Sequence, residues 1–433
     1  MIEKKPRNRV KNNSIPTQIT EEYQVHTLAN GIRIAYRFVG HTQIAHCGIM
    51  LDIGSRDELP GEEGLAHFWE HMAFKGTEKR KSHHIINRLE TVGGELNAYT
   101  TKEKVCFHAS VLDQHFERAI DVLADITFHS IFPDKQLELE RNVILEEMSM
   151  YYDSPEDAIQ DDFDEMLYPS HSLGNNILGT AETVRSFAKE DLESFIRRNL
   201  DTSRIIVSFV GPTPFNKVIR LVEKYLFDVG TASTERQRVK PTLYAPEIKT
   251  VSRPITQAQC AMGRPSFSLS DPRRLPFFML VNLLGGPGMN SRFNMALREK
   301  YGFVYTIDAS YTPYLDTGFL GIYFGTEPQQ LERSIHLIHK ELKKLRQQPL
   351  TTLQMHHTKE QLMGQLAMSE ESNAGYMLMM AKSLLDSGKV DSLPEIFDEI
   401  RNVTPSHLMD LANEMFDEKE FSYLTFVPDK NAK

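Results

Sequence analysis

The chain has 433 residues, 40% hydrophobic and 25% charged, which excludes a disordered, collagenous or coiled-coil protein and leaves room for two or three domains. Its 49 Lys and Arg against 59 Asp and Glu give a net charge of −10, which argues against a dedicated nucleic-acid binder. Cys47, Cys106 and Cys260 are too few for a disulfide framework and read as reduced, buried residues of a cytoplasmic protein, and no run of 18 apolar residues suggests a membrane span.

Residues 1–21 carry Lys4, Lys5, Arg7, Arg9 and Lys11 with no apolar run behind them, so they read as a flexible tail rather than a secretory signal. YQVHTL-ANG-IRIAYR is a hairpin signal, two alternating apolar runs around Asn-Gly. Residues 44–55 predict a buried strand, 62–75 and 82–92 two helices, and GELNAYTTKEKVCFHASVL two short strands. Long helical patterns cover 112–130 and 134–153, a closing strand 203–211 and a helix 214–227. Residues 228–250 are polar, hold Pro241 and Pro246, and form the predicted linker.

The second half, 251–433, starts again. TQIAHC (42–47) is echoed by TQAQC (256–260), AHFWEHMAFKG (66–76) by FFMLVNLLGG (277–286), and both halves finish on a strand. The expected fold is α+β: two homologous domains, 22–227 and 251–433, each a mainly antiparallel sheet with helices packed on one face. LLGGPGMNSRF lacks the Walker spacing and reads as a tight turn between helices, and the methionines of GYMLMMAK (375–382) as core filling.

GLAHFWEHMAFKGT carries the chemistry. His67 and His71 are four apart, so on a helix they share a face and can hold one divalent ion, with zinc the usual choice. Glu70 lies three residues after His67, within reach of a water on that ion. This HxxEH order inverts the commoner HExxH, and the second half has no His or Glu at the corresponding place. A catalytic zinc needs a third ligand, and LELERNVILEEMSMYY is its natural source. Glu140 and Glu147 share a helical face two turns apart, with Glu146 about 100° away. Glu147 is the ligand candidate and Glu140 the partner that holds a ligand in place. GGELNAYT reads as a glycine turn entering an edge strand, to which an extended peptide could add.

The sequence resembles the inverzincin family M16, which holds pitrilysin, insulin-degrading enzyme and the mitochondrial processing peptidase. LDIGSRDE, GLAHFWEHMAFKGT, GGELNAYT, ERNVILEEM, LLGGPGMNSRF and LREKYGFVY carry the likeness, which runs over about residues 22–427. The family pattern places a ligand glutamate about 76 residues after the second histidine; here 147 − 71 selects Glu147 over Glu146. The resemblance implies a zinc metalloendopeptidase with one Zn²⁺ per chain on His67, His71 and Glu147, and Glu70 activating a zinc-bound water. It implies Asn97 and Ala98 as contacts to the substrate backbone, and Arg298 and Tyr305 as groups that stabilise the oxyanion. The length matches single-unit members, so it implies a homodimer or a heterodimer with an M16-like subunit, whose chamber admits unfolded peptides or small polypeptides, with Arg298 and Tyr305 acting in trans. The alternative is a non-catalytic partner subunit of the same fold. Such members lose parts of the zinc motif, and here all four residues are present. A metal-dependent hydrolase of non-peptide substrates fits the edge-strand segment less well.

Overall fold

The computed structural model describes residues 18–19, 22–236 and 238–429. In chain order the first half runs β1 (Gln18–Ile19), β2 (Gln24–Thr27), β3 (Arg33–Phe38), β4 (Ile44–Leu51), α1 (Leu65–Ala73), α2 (Ser82–Glu90), β5 (Glu95–Thr100), β6 (Val105–Leu112), α3 (Phe116–Phe128), α4 (Asp134–Asp153), α5 (Pro155–Leu167), α6 (Ala181–Ser186), α7 (Lys189–Asn199), β7 (Ile205–Gly211) and α8 (Phe215–Tyr225). The second runs β8 (Ile248–Arg253), β9 (Ala258–Pro265), α9 (Arg274–Gly285), β10 (Val304–Pro313), β11 (Gly318–Thr326), α10 (Leu331–Gln347), α11 (Thr352–Glu370), α12 (Asn373–Asp386), α13 (Leu393–Asn402), α14 (Pro405–Met415) and β12 (Ser422–Pro428). The helix expected over 112–130 starts later because β6 continues to Leu112 and a 3-10 turn follows.

The duplication is explicit in the strand order. The first sheet runs β1-β2-β3-β7-β4-β6-β5 and the second β8-β12-β9-β11-β10, so β3, β7, β4, β6 and β5 have their counterparts in β8, β12, β9, β11 and β10. In each sheet one pair is parallel (β3 with β7, β8 with β12) and the rest are antiparallel. Of the segment expected as a tail, only Gln18–Ile19 is described; it pairs with β2, so the sheet begins before residue 22.

Each sheet packs its own helices on one face. Ala45, Cys47, Ile49 and Leu51 of β4 join Phe68, Trp69 and Ile120 in the first core. The opposite face is closed by a helix from the other half. Met377, Met380 and Leu384 of α12 pack on Ala35, Met50, Ile206 and Val210 of the first sheet. Reciprocally, Ala158, Ile159 and Phe163 of α5 pack on Ala261, Phe319, Leu424 and Phe426 of the second. Met377 and Met380 of the methionine run are therefore core, but the core of the other half's sheet, while Met379 is exposed.

The connector is strapped down rather than slack. The Arg238 guanidinium, almost fully buried, donates to both carboxylate oxygens of Asp57 (2.8 and 2.7 Å), to Asp52 (3.1 Å) and to the Glu103 carbonyl (2.9 Å). β8 starts at Ile248, inside the predicted linker. No helix among the described residues is long and apolar enough to cross a membrane.

Candidate metal centre

The site is built on α1. Leu65, Ala66, Phe68, Trp69, Met72 and Ala73 are buried, which fixes the helix in the core and leaves little freedom for the polar groups between them. The helix begins at Leu65, not at 62, because Gly64 is left-handed (φ 95°), and a side chain there would meet the Leu178 carbonyl oxygen at 2.5 Å. The buried Glu58 carboxyl accepts from the Gly64 and Ala66 N–H groups (3.1 and 2.8 Å), satisfying free donors at the start of α1, while burial pushes its pKa well above the ordinary value against those bonds.

His67 and His71 stand one turn apart with ring centroids 4.5 Å from each other. Glu147, from α4, brings its carboxylate oxygens to 3.9 Å from His67 Nε2 and 3.4 Å from His71 Nε2. One ligand atom from each of the three lies within 4.8 Å of the others. Two imidazole nitrogens and a carboxylate converging on one point fit a zinc-type ion and leave a fourth position for a reacting group. Glu146 is exposed and turned away, as the helical geometry requires.

Glu140 is buried (5% exposed) and divides its carboxylate between two partners: His71 Nδ1 at 3.0 Å and Lys75 Nζ at 2.6 Å. A carboxylate only accepts, so His71 donates from Nδ1 and presents Nε2 to the metal position. Burial opposes the charge on Glu140, but the bonds from His71 and Lys75 hold its pKa below the ordinary value. Burial likewise disfavours charged His71, yet its bonds to Glu140 and Glu147 raise it to about 9. His67 goes the other way: burial first, then the neighbouring His71, push it down to about 4, and its Nδ1 is buried with no hydrogen-bond partner among the described residues.

Glu70 sits beside this triad. Its Oε2 accepts from the Thr100 hydroxyl at 2.6 Å, and burial raises its pKa against the opposing effect of that bond. Thr100 ends β5, the edge strand that carries Asn97 and Ala98. Among the described residues both pair with β6 alone, opposite His108 and Phe107, and no strand lies on the outer side of β5.

Arg298 and Tyr305 lie in the other half, in the π-helical turn Asn294–Glu299 and at the start of β10. The Arg298 guanidinium is 5.5 Å from the Tyr305 ring centroid, and Tyr305 is 79% exposed. Among the described residues no hydrogen bond, ion pair or ring contact joins either to the triad. Thr100, Lys75 and Glu58 were not singled out from sequence. Lys75 alone had a signal, lying four residues after His71, whereas Thr100 and Glu58 reach α1 from other elements.

Two family profiles match: "Insulinase (Peptidase family M16)" over residues 33–181 and "Peptidase M16 inactive domain" over 186–362. The chain is 34% identical to the uncharacterized zinc protease YmxG of Bacillus subtilis over 393 residues, covering 91% of this chain and 95% of that one. It is 31% identical to an uncharacterized zinc protease of Streptomyces coelicolor, covering 94% and 90%. Its fold matches a peptidase M16 inactive domain from Pseudomonas fluorescens (TM-score 0.87, 16% identity, 95% and 99% covered). It also matches a protease from Helicobacter pylori (TM-score 0.86, 19% identity, 94% and 99% covered). With the inverted HxxEH on α1, its glutamate on α4 and both halves matched, the chain belongs to peptidase family M16.

Proposed function

We propose that this protein is a zinc-dependent endopeptidase that cleaves unfolded peptides or small polypeptides bound as an added strand along β5. The observation that carries the reading is the convergence of His67, His71 and Glu147 beside a half-buried carboxylate and an open strand edge. Zinc is the metal named for the Bacillus and Streptomyces relatives, and when bound it supplies Lewis-acid polarisation of a scissile carbonyl. His67, His71 and Glu147 would hold it, with Glu140 keeping the His71 ring in place.

Glu70 accepts the proton of the attacking water and returns it to the leaving amine. Its raised pKa suits both transfers, and Thr100 orients the carboxylate. Asn97 and Ala98 align the substrate backbone through the free edge of β5. Arg298 and Tyr305 serve the oxyanion from a partner chain, a second copy or a related subunit, so that two chains enclose the reaction.

The test is zinc content together with cleavage of a quenched peptide library. The expected result is one zinc per chain, cleavage abolished by chelation, and a loss of about 10²–10⁴-fold in kcat for Glu70→Gln with zinc retained. Stoichiometric zinc with no cleavage of any peptide would favour a non-catalytic subunit; cleavage indifferent to Glu70→Gln would overturn the mechanism.

A further inference from the structure

Three consecutive charged residues in the turn joining β5 to β6, namely Lys102, Glu103 and Lys104, are each only 5% exposed. Burying three charges in a row is costly unless each finds a partner, and each finds one on a different element. Lys102 donates to the Asn175 carbonyl at 2.6 Å and pairs with Asp164 of α5 at 3.3 Å. Lys104 pairs with Asp386, the last residue of α12. Glu103 accepts from Arg56 at 2.7 Å and from the Leu315 N–H at 3.2 Å. Leu315 belongs to the loop between β10 and β11, and its neighbour Asp316 takes the other side of Arg56 at 2.6 Å. Two of the three charges thus reach into the second half.

The backbone of the turn is equally confined. The Ser55 and Arg56 N–H groups donate to the carbonyls of Thr101 and Lys102, and a side chain at Gly54 would meet the Lys102 carbonyl and the Glu103 nitrogen at 2.5 Å. Thr100, which holds Glu70, immediately precedes this turn.

We infer that the β5–β6 turn is the route by which the second half, where no metal-ligand cluster is found among the described residues, holds the peptide-binding edge in place, with Glu103 as the positioning residue. The metal ligands sit on α1 and α4, which the first core and the Glu140 bonds to His71 and Lys75 also hold, so loosening the turn moves the strand further than the triad. In its activity arm the inference rests on the peptidase reading above; in its structural arm it does not.

The experiment uses the full-length, zinc-loaded chain. Glu103→Gln keeps the shape of the side chain and removes its charge; Leu315→Pro removes the N–H that the second half supplies and leaves Glu103 intact. Hydrogen exchange is followed in peptides covering 95–104, α1 and α4, beside zinc content and steady-state kinetics. In both variants the 95–104 segment is expected to exchange about tenfold faster, with α1 and α4 less affected and zinc retained. KM for peptide rises about tenfold, and kcat falls by a smaller factor because Thr100, which orients Glu70, lies in the same segment. Unchanged protection of 95–104, or equal loosening of α1 and α4 with loss of zinc, overturns the inference. A wild-type chain that cleaves no peptide sinks the peptidase reading, and the exchange comparison still decides this one.

Discussion

Two histidines one turn apart on the same helix are driven to opposite protonation behaviour. His71 is flanked by the Glu140 and Glu147 carboxylates and is raised to about 9, while the more buried His67 is lowered to about 4. On the proposed ligand set zinc would displace the proton of His71, so affinity is expected to rise about tenfold per pH unit between pH 7 and 8.5. Chelator competition across that range checks it, and a flat profile would contradict it. The linkage has the opposite sign without metal: the raised pKa of His71 stabilises the metal-free fold fully below the unfolded value near 6.5, and that contribution is lost as pH rises through about 9. Helical spacing puts His67, Glu70 and His71 on one face of α1, whereas Glu147 was reached only through the want of a third ligand and the family spacing of about 76 residues. Thr100 and Glu58 were not legible in the sequence, because their bonds to α1 cross from β5 and from the loop before Gly64, and no periodicity reports a contact between elements.

Among the elements, α5 and α12 do the most to make one molecule of two halves. Burying an apolar side chain contributes about 1.5–3 kcal/mol. Met377, Met380 and Leu384 together therefore supply stabilisation comparable to the roughly 5–15 kcal/mol of a whole domain. Residues 22–227 expressed alone would expose Ala35, Met50, Ile206 and Val210 to water. We expect that fragment to be insoluble or to bind a hydrophobic dye without a cooperative unfolding transition; a sharp, reversible transition would show that α12 is dispensable. The repeat of TQIAHC and TQAQC announced the doubling of the sheet, and the apolar run over 44–55 marked a buried strand. Alternation says nothing about which helix covers a face, so the reciprocal exchange was not legible.

On the scale of the whole chain, the chemistry is lopsided. The duplicated α9 offers no histidine or glutamate, and Arg298 and Tyr305 stand on the far half without touching the triad. If they act across two chains, mixing Glu70→Gln with Arg298→Ala subunits should restore activity above that of either alone, measured on a fluorogenic peptide; no recovery would exclude the arrangement in trans. The open border of β5 has a cost of its own. A strand left free for an incoming polypeptide is equally free for the next copy of this protein, and sheet-to-sheet polymerisation is the ordinary fate of such borders. Glu95 and Asn97 stand exposed along β5, while the counterpart β10 carries Asp308 and an irregular register between Val304 and Ile307. A charge on one border and a kink with a charge on the other discourage self-stacking, and on the proposed reading they would still let a transient guest lie down, be cut and leave.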